Sequence, residues 1–277
     1  MKSEKKNAVV FAYSSVGCEC MNVLLKREDI KIKLVYTHED DPNENHWFDS
    51  VYELAKKNNL NVKTNEPYYD EVKNAQPDVI FSFYYRAIID MNILSLAPLG
   101  AFNMHGSLLP KYRGRACVNW AVLNGETETG VTLHHMTKYA DRGNIVSQEA
   151  VPIGENETSH EVFMKIIPAA GRVLSRSLDD ILSGNAEGFE QDESLATKFG
   201  RRRPEDGLID WSKSAREIHN LVRAVAKPFP GAFFYHDGHK IMIWKTRIIS
   251  DVKDSNTPAI MIRTNDGILE VLEWEVI

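Results

Sequence analysis

Asp78-Val79-Ile80-Phe81-Ser82-Phe83 and, beyond the turn Pro98-Leu99-Gly100, Ala101-Phe102-Asn103-Met104-His105 decide the fold. The first is a continuous apolar run behind a Gln76-Pro77 stop, the pattern of a strand buried on both faces. Ala8-Val9-Val10-Phe11-Ala12-Tyr13 has the same character, and Ile30 to Thr37 alternates as a further strand. Between them lie helical stretches. Gly17 is read as a turn opening a helix from Cys20 to Lys26, and His46 to Asn58 carries Trp47, Val51, Leu54 and Ala55 on one face. Strands alternating with helices need crossover connections, so the expectation is an α/β fold with a mostly parallel sheet.

Later segments continue the pattern and then change it. Val118 to Leu123 predicts a short helix, and Gly130 to Met136 and Asn144 to Val151 predict strands. Ser159 to Leu182 is a long amphipathic helix with Val162, Ile166, Ala170, Leu174, Leu178 and Ile181 on one stripe, and Pro168 is placed to kink it. From about Phe199 the reading is one helix, Ser214 to Ala226, followed by β-hairpins. His236-Asp237-Gly238-His239 joins Ala232–Tyr235 to Lys240–Ile248, and Asn265-Asp266-Gly267 joins Ala259–Thr264 to Ile268–Val276. The division falls in the polar stretch between Asn185 and Gly207, with residues 1–190 as the larger domain and 205–277 as a small β-rich one.

Composition excludes several classes. The 277 residues are 43% hydrophobic and 26% charged, ordinary for a folded domain. The net charge of −6 argues against a general phosphate-backbone binder. Three cysteines, Cys18, Cys20 and Cys117, are no disulfide framework, and Cys18-x-Cys20 lacks partners at zinc-site spacing, so neither disulfides nor a metal is expected. The apolar run at Ala8–Ala12 is too short for a signal core or a spanning helix, which gives the expectation of a cytoplasmic chain without membrane insertion.

The chemistry-bearing residues are concentrated in Asn103-Met104-His105-Gly106-Ser107-Leu108-Leu109-Pro110. Asn103 and His105, two apart, point to the same side of a strand at its carboxyl end, where open α/β sheets bind ligands. Alone, Asn-x-His is most often turn chemistry or a satisfied polar pair, and Ala140-Asp141-Arg142-Gly143 is more often a turn than a functional element. Together they offer a base, a carboxylate to orient it and an amide donor for an oxyanion, a set that suits acyl transfer.

This set resembles the folate-dependent formyltransferases. Phe81 to Arg86, Lys111 to Arg115, Asn124 to His134, Phe199-Gly200-Arg201-Arg202 and Asn220 to Ala226 are similar to the branch that formylates UDP-4-amino-4-deoxy-L-arabinose. The chain departs from that branch at Cys117, where proline is usual, and at Phe229, where tryptophan is usual. The resemblance implies a Rossmann-like catalytic domain followed by a small OB-like one. It implies His105 as general base, Asp141 as its partner and Asn103 as oxyanion donor, with Cys117 and Ser107 not acting as nucleophiles. It places 10-formyltetrahydrofolate, the formyl donor, against Ala87, Ile88, Ile89, Arg115, Thr137, Lys138, Tyr139 and Ala140. A nucleotide-linked amino sugar, carrying either UDP or dTDP, would lie against Tyr84, Arg86, Ser107 and Arg201. Such enzymes serve cell-envelope polysaccharide or lipid A modification, and a homodimer is compatible with the resemblance.

The chief alternative within the family is a methionyl-tRNA formyltransferase. Residues 200–277 hold twelve Lys and Arg against eleven Asp and Glu. A tRNA-binding domain would show a basic face, so no nucleic-acid partner is expected. A non-catalytic nucleotide-sugar module would not need Asn103, His105 and Asp141 together, and a folate hydrolase would lack the amino-sugar branch features.

Overall fold

The computed structural model describes residues 5–39, 47–250, 260–264 and 266–277. Strands and helices alternate first: β1 (Lys6–Ala12), α1 (Ser14–Leu25), β2 (Ile30–Tyr36), α2 (Val51–Lys57), β3 (Val62–Lys63), α3 (Tyr69–Ala75), β4 (Val79–Phe83), α4 (Met91–Leu94) and β5 (Ala101–His105). Then come β6 (Arg113–Gly114), α5 (Cys117–Leu123), β7 (Glu128–His135), β8 (Ile145–Pro152), α6 (Ser159–Ser183) and β9 (Lys198–Phe199). The chain finishes with α7 (Ala215–Val225), β10 (Ala232–His236), β11 (His239–Ile249), β12 (Ile260–Arg263) and β13 (Ile268–Val276).

Seven strands make one sheet in the order β3-β2-β1-β4-β5-β7-β8. β1 pairs in parallel with both β2 and β4, and β4 with β5. The apolar runs occupy this centre: Val9, Val10, Phe11, Val79, Ile80 and Phe81 are all fully buried. Burying each such side chain stabilises the fold by roughly 1.5–3 kcal/mol. After β1 the chain winds outward to β2 and β3, then returns to place β4 on the other side of β1. In open α/β sheets such a reversal marks where ligands bind, beyond the carboxyl ends of the strands. The sheet is mixed, since β5 and β7 run antiparallel with Asn103 opposite His134 and His105 opposite Thr132.

By compactness the chain forms two units. The first comprises residues 1–113, 130–151 and 165–198, and the second comprises 114–129, 152–164 and 199–277. The second unit holds an antiparallel sheet in the order β10-β11-β13-β12. Its helix α7 starts with a capping box, in which Ser214 and Glu217 satisfy each other's main-chain N–H groups. The Asn119 side chain on α5 donates to the Ala224 carbonyl of α7. Asp237 and Gly238, both at positive φ between paired His236 and His239, make the two-residue hairpin turn expected there. The fully buried Glu270 is neutralised by Arg247, whose Nη2 lies at 2.6 Å.

Some local expectations are corrected. Gly17 is not a turn but lies inside α1, which begins at Ser14, a residue at φ 61 that itself makes the bend. A Cβ on Gly17 would lie 3.0 Å from Val51 and 3.2 Å from the Ala12 Cβ, so the glycine serves close packing of helix on strand. α2 starts at Val51, capped by the Ser50 hydroxyl accepting from the Glu53 N–H, while the expected start at His46 lies outside the described residues. Ala259 and Asn265 of the second hairpin also lie outside them. α6 runs unbroken through Pro168.

Candidate active site

Asn103 and His105 stand at the carboxyl end of β5, and His134 stands beside Asn103 on β7. Asp141 comes from the loop between β7 and β8, at φ 58. Its Oδ1 lies 3.5 Å from His105 Nδ1 and 3.8 Å from His134 Nε2. Asn103 Nδ2 lies 3.1 Å from His134 Nε2.

Hydrogen-bond chemistry fixes the protons. His134 Nδ1 lies 2.8 Å from the His135 carbonyl, which can only accept, so Nδ1 carries the proton. Nε2 then presents a lone pair and accepts from the Asn103 amide. This orients the carboxamide, spends one of its two N–H groups and leaves the other to be directed at a ligand. Burial pushes His134 down to about 4, with Asp141 opposing and His105 adding to the effect, so the ring is neutral at ordinary pH. His105 is buried, and its Nε2 lies 2.9 Å from the Tyr112 carbonyl. By the same reasoning Nε2 carries the proton of the neutral ring, and Nδ1 turns a lone pair toward a carboxylate.

The Asp141 loop is held from beneath. Gln191 donates Nε2 to the carbonyls of Asp141 at 2.9 Å and Gly143 at 2.8 Å. Gln191 Oε1 in turn accepts from Arg113 Nη2 at 2.7 Å, and the buried Arg113 guanidinium also pairs with Glu193 at 2.7 Å. Gly143 allows the close approach, since a Cβ there would lie 1.9 Å from the His135 carbonyl oxygen. The loop after β5 is equally tied. Thr132 donates to the Ser107 carbonyl at 2.7 Å, and Gln148 donates to the Leu109 carbonyl at 2.8 Å. Ser107 is fully buried, and its hydroxyl donates to the Lys111 carbonyl at 2.6 Å, so it closes its own loop.

The structure thus brings together Asn103, His105 and Asp141 and adds His134. Of the other expected residues, Ile89 packs into the core of the first unit, whereas Ile88 is 80% exposed and Ala87 is exposed. Arg86 is exposed, with its guanidinium carbon 4.2 Å from the Tyr13 ring centre and its main-chain N–H donated to His38. Tyr84 is half-buried at φ 58, and its hydroxyl occupies the space a Cβ on Gly106 would need. Thr137, Lys138, Tyr139 and Ala140 are all exposed, with Lys138 and Arg142 over the Tyr139 ring. Arg115 and Arg201 are exposed and belong to the second unit. Among the described residues no cluster of His, Cys, Asp or Glu is arranged to hold a metal ion, and no helix is long and apolar enough to cross a membrane.

A doubly wound sheet thus carries this polar set at its carboxyl edge. The chain matches the formyl transferase family over residues 6–178 and that family's C-terminal domain over residues 202–275, and it belongs to this family. Among solved structures it is similar to an N-formyltransferase from Helicobacter canadensis in complex with folinic acid and dTDP-3-aminofucose, at 23% identity and a TM-score of 0.78 over 98% of this chain and 100% of that one. It is also similar to a 4-N formyltransferase from Francisella tularensis, at 21% identity and a TM-score of 0.66, covering 85% and 95% of the two chains. HypX from Aquifex aeolicus in complex with tetrahydrofolic acid matches 97% of this chain but only 44% of its own, at 15% identity and a TM-score of 0.66.

Proposed function

We propose that this protein transfers a formyl group from 10-formyltetrahydrofolate to the amine of a nucleotide-linked 4-amino sugar, carried on UDP or dTDP. The observation that carries the reading is the linked set Asn103–His134 and His105–Asp141. It provides one oriented amide N–H and one imidazole nitrogen disposed to accept a proton. A similar protein described with folinic acid and dTDP-3-aminofucose supports a folate donor and a nucleotide-linked amino sugar, and one described as a 4-N formyltransferase supports the 4-amino position.

The residues expected at the donor fit a flat, amphipathic molecule. Ile88 and Tyr139 expose apolar surface, and Thr137–Ala140 form an exposed loop running into Asp141. Bound there, the donor supplies an activated formyl carbon. Asn103 Nδ2 donates its remaining proton to the oxygen on which negative charge builds; one such donor typically contributes ~100- to 1000-fold in rate. The His105 imidazole, as the base beside Asp141, takes the proton that the attacking amine must lose. Asp141 stabilises the resulting imidazolium and keeps the ring in place. No side-chain nucleophile is required, so Ser107 and Cys117 stay outside the chemistry.

A cytoplasmic location, a role in cell-envelope polysaccharide or lipid A modification, and the division of labour between residues 1–190 and 205–277 belong to the same proposal. So does the absence of a nucleic-acid partner. The test is a panel of UDP- and dTDP-linked amino sugars and initiator methionyl-tRNA, each incubated with 10-formyltetrahydrofolate and read by mass. Formylation of a 4-amino sugar nucleotide is expected. Formylation of the tRNA alone would replace this reading with the methionyl-tRNA one.

A further inference from the structure

His105 and Asp141 face each other at 3.5 Å, and two anchors set that separation. The His105 ring is held through Nε2, 2.9 Å from the Tyr112 carbonyl. Asp141 sits at φ 58, a left-handed conformation that a non-glycine residue keeps only where its surroundings impose it. The Gln191 amide supplies the imposition. It grips the loop on both sides of Arg142, through the carbonyls of Asp141 and Gly143.

The two anchors belong to one frame. Tyr112, whose carbonyl meets His105, is followed by Arg113, whose side chain fixes Gln191. Arg113 is only 4% exposed. Its Nε and Nη2 donate to Gln191 Oε1 at 3.2 and 2.7 Å, and its Nη1 and Nη2 donate to the Glu193 carboxylate at 2.9 and 2.7 Å. A guanidinium carries donors alone, so the Gln191 atom facing it is the carbonyl oxygen. The NH2 end of the amide is thereby turned to the Asp141 loop. Main-chain contacts complete the frame: the Tyr112 N–H donates to the Thr197 hydroxyl at 2.8 Å, and the Arg113 N–H donates to the Thr197 carbonyl at 2.9 Å. Base and carboxylate therefore hang from the same two stitched segments, 112–113 and 191–197. Burying a guanidinium is costly, and an apolar contact would fasten a loop as well. What an apolar contact lacks is direction, and the fork of Arg113 fixes which way the amide points.

We propose that Arg113 and Gln191 are positioning residues for formyl transfer, holding the Asp141 carboxylate at the separation from His105 at which it supports the base. The proposal rests on the functional reading above, and both residues act through Asp141. Two ionisable groups face His105: Asp141 from the loop, and His134 from β7 with its ring centre 6.5 Å away.

The test follows imidazole protonation against pH by NMR in the full-length protein, with the His105 signal assigned by its loss in His105→Ala. Asp141→Asn removes the carboxylate and calibrates its full effect, a fall in the pH at which His105 takes its proton. Gln191→Met keeps the side-chain length and leaves Arg113 paired with Glu193, but removes both donors to the loop. It should reproduce about half a pH unit or more of that fall. It should also lower kcat about 10- to 100-fold, with the acceptor KM within a few-fold and the thermal midpoint near that of the parent. A merely structural role would lower the thermal midpoint and leave the titration of the folded protein unmoved. An unchanged His105 titration or an unchanged kcat in folded Gln191→Met overturns the proposal. So does an Asp141→Asn protein in which His105 titrates as in the parent. Arg113→Lys keeps a cation beside Glu193 without the planar fork and should behave as Gln191→Met does; if Gln191→Met does not fold, Arg113→Lys decides alone. The expected titration shifts in a protein that formylates no amino sugar would sink the functional reading and leave the placement of Asp141 against His105 standing.

Discussion

Replacing His134 by glutamine should change how stability depends on pH. Burial holds His134 down to about 4, against an ordinary value of 6.5. Between those values the unfolded chain binds a proton at this residue and the native state does not. The native state is thus penalised as pH falls through this window and not above it. Each pH unit is worth about 1.4 kcal/mol. The loss relative to a non-titrating variant should grow as pH falls and reach roughly 3 kcal/mol near pH 4. Glutamine suits the comparison because its carbonyl can accept from Asn103 and its amide N–H can reach the His135 carbonyl. Urea unfolding of the parent and His134→Gln from pH 7 to 4.5 supplies the two stability curves. Carboxylates and histidines remote from His134 act in both proteins and cancel in the difference, whereas Asp141 and His105, which interact with it directly, also contribute to it. The parent curve should fall away from that of the variant as pH drops. Curves that stay parallel would show that His134 is not held neutral by burial, and the proton assignment that orients Asn103 would go with it.

Further outcomes follow from the same network. His105→Ala and Asp141→Asn should each lower turnover by about 100-fold or more with little change in thermal midpoint; near-normal kcat in a folded His105→Ala would remove the mechanism. His134→Leu, which leaves Asn103 without its acceptor, should lower kcat well below that of His134→Gln while donor KM stays within a few-fold, and equal rates for the two would deny the orienting role. Gly143→Ala forces a Cβ onto the His135 carbonyl and should cost about 1–3 kcal/mol in urea unfolding together with activity; an unaffected protein would mean that the loop relaxes freely. Gel-shift titration with initiator tRNA at physiological salt should show no submicromolar, salt-sensitive binding, given the net charge of −6.

The central strands were legible because burial on both faces leaves an unbroken apolar run, as at Ala8–Ala12 and Val79–Phe83. The pair Asn103 and His105 was legible because a spacing of two fixes a common face. His134 was not, because its importance depends on β7 lying antiparallel to β5, which puts it opposite Asn103 across 31 positions of sequence. A mostly parallel expectation gives no reason to pair them. Arg113 and Gln191 are 78 residues apart, and no local pattern announces that one steadies the other beneath Asp141. Gly17 misled because glycine signals a turn by default, whereas here the bend falls on Ser14 and the glycine answers to the closeness of Val51.

The two compact units are woven from one thread that passes between them five times, at residues 113–114, 129–130, 151–152, 164–165 and 198–199. No single cut releases either unit whole. A fragment ending near residue 190 would carry 114–129 and 152–164 without the C-terminal segment they group with, including α7, to whose Ala224 carbonyl Asn119 donates. Gene fusion or recombination at one junction therefore cannot hand the C-terminal unit intact to a new partner. Exchange requires three stretches to travel together.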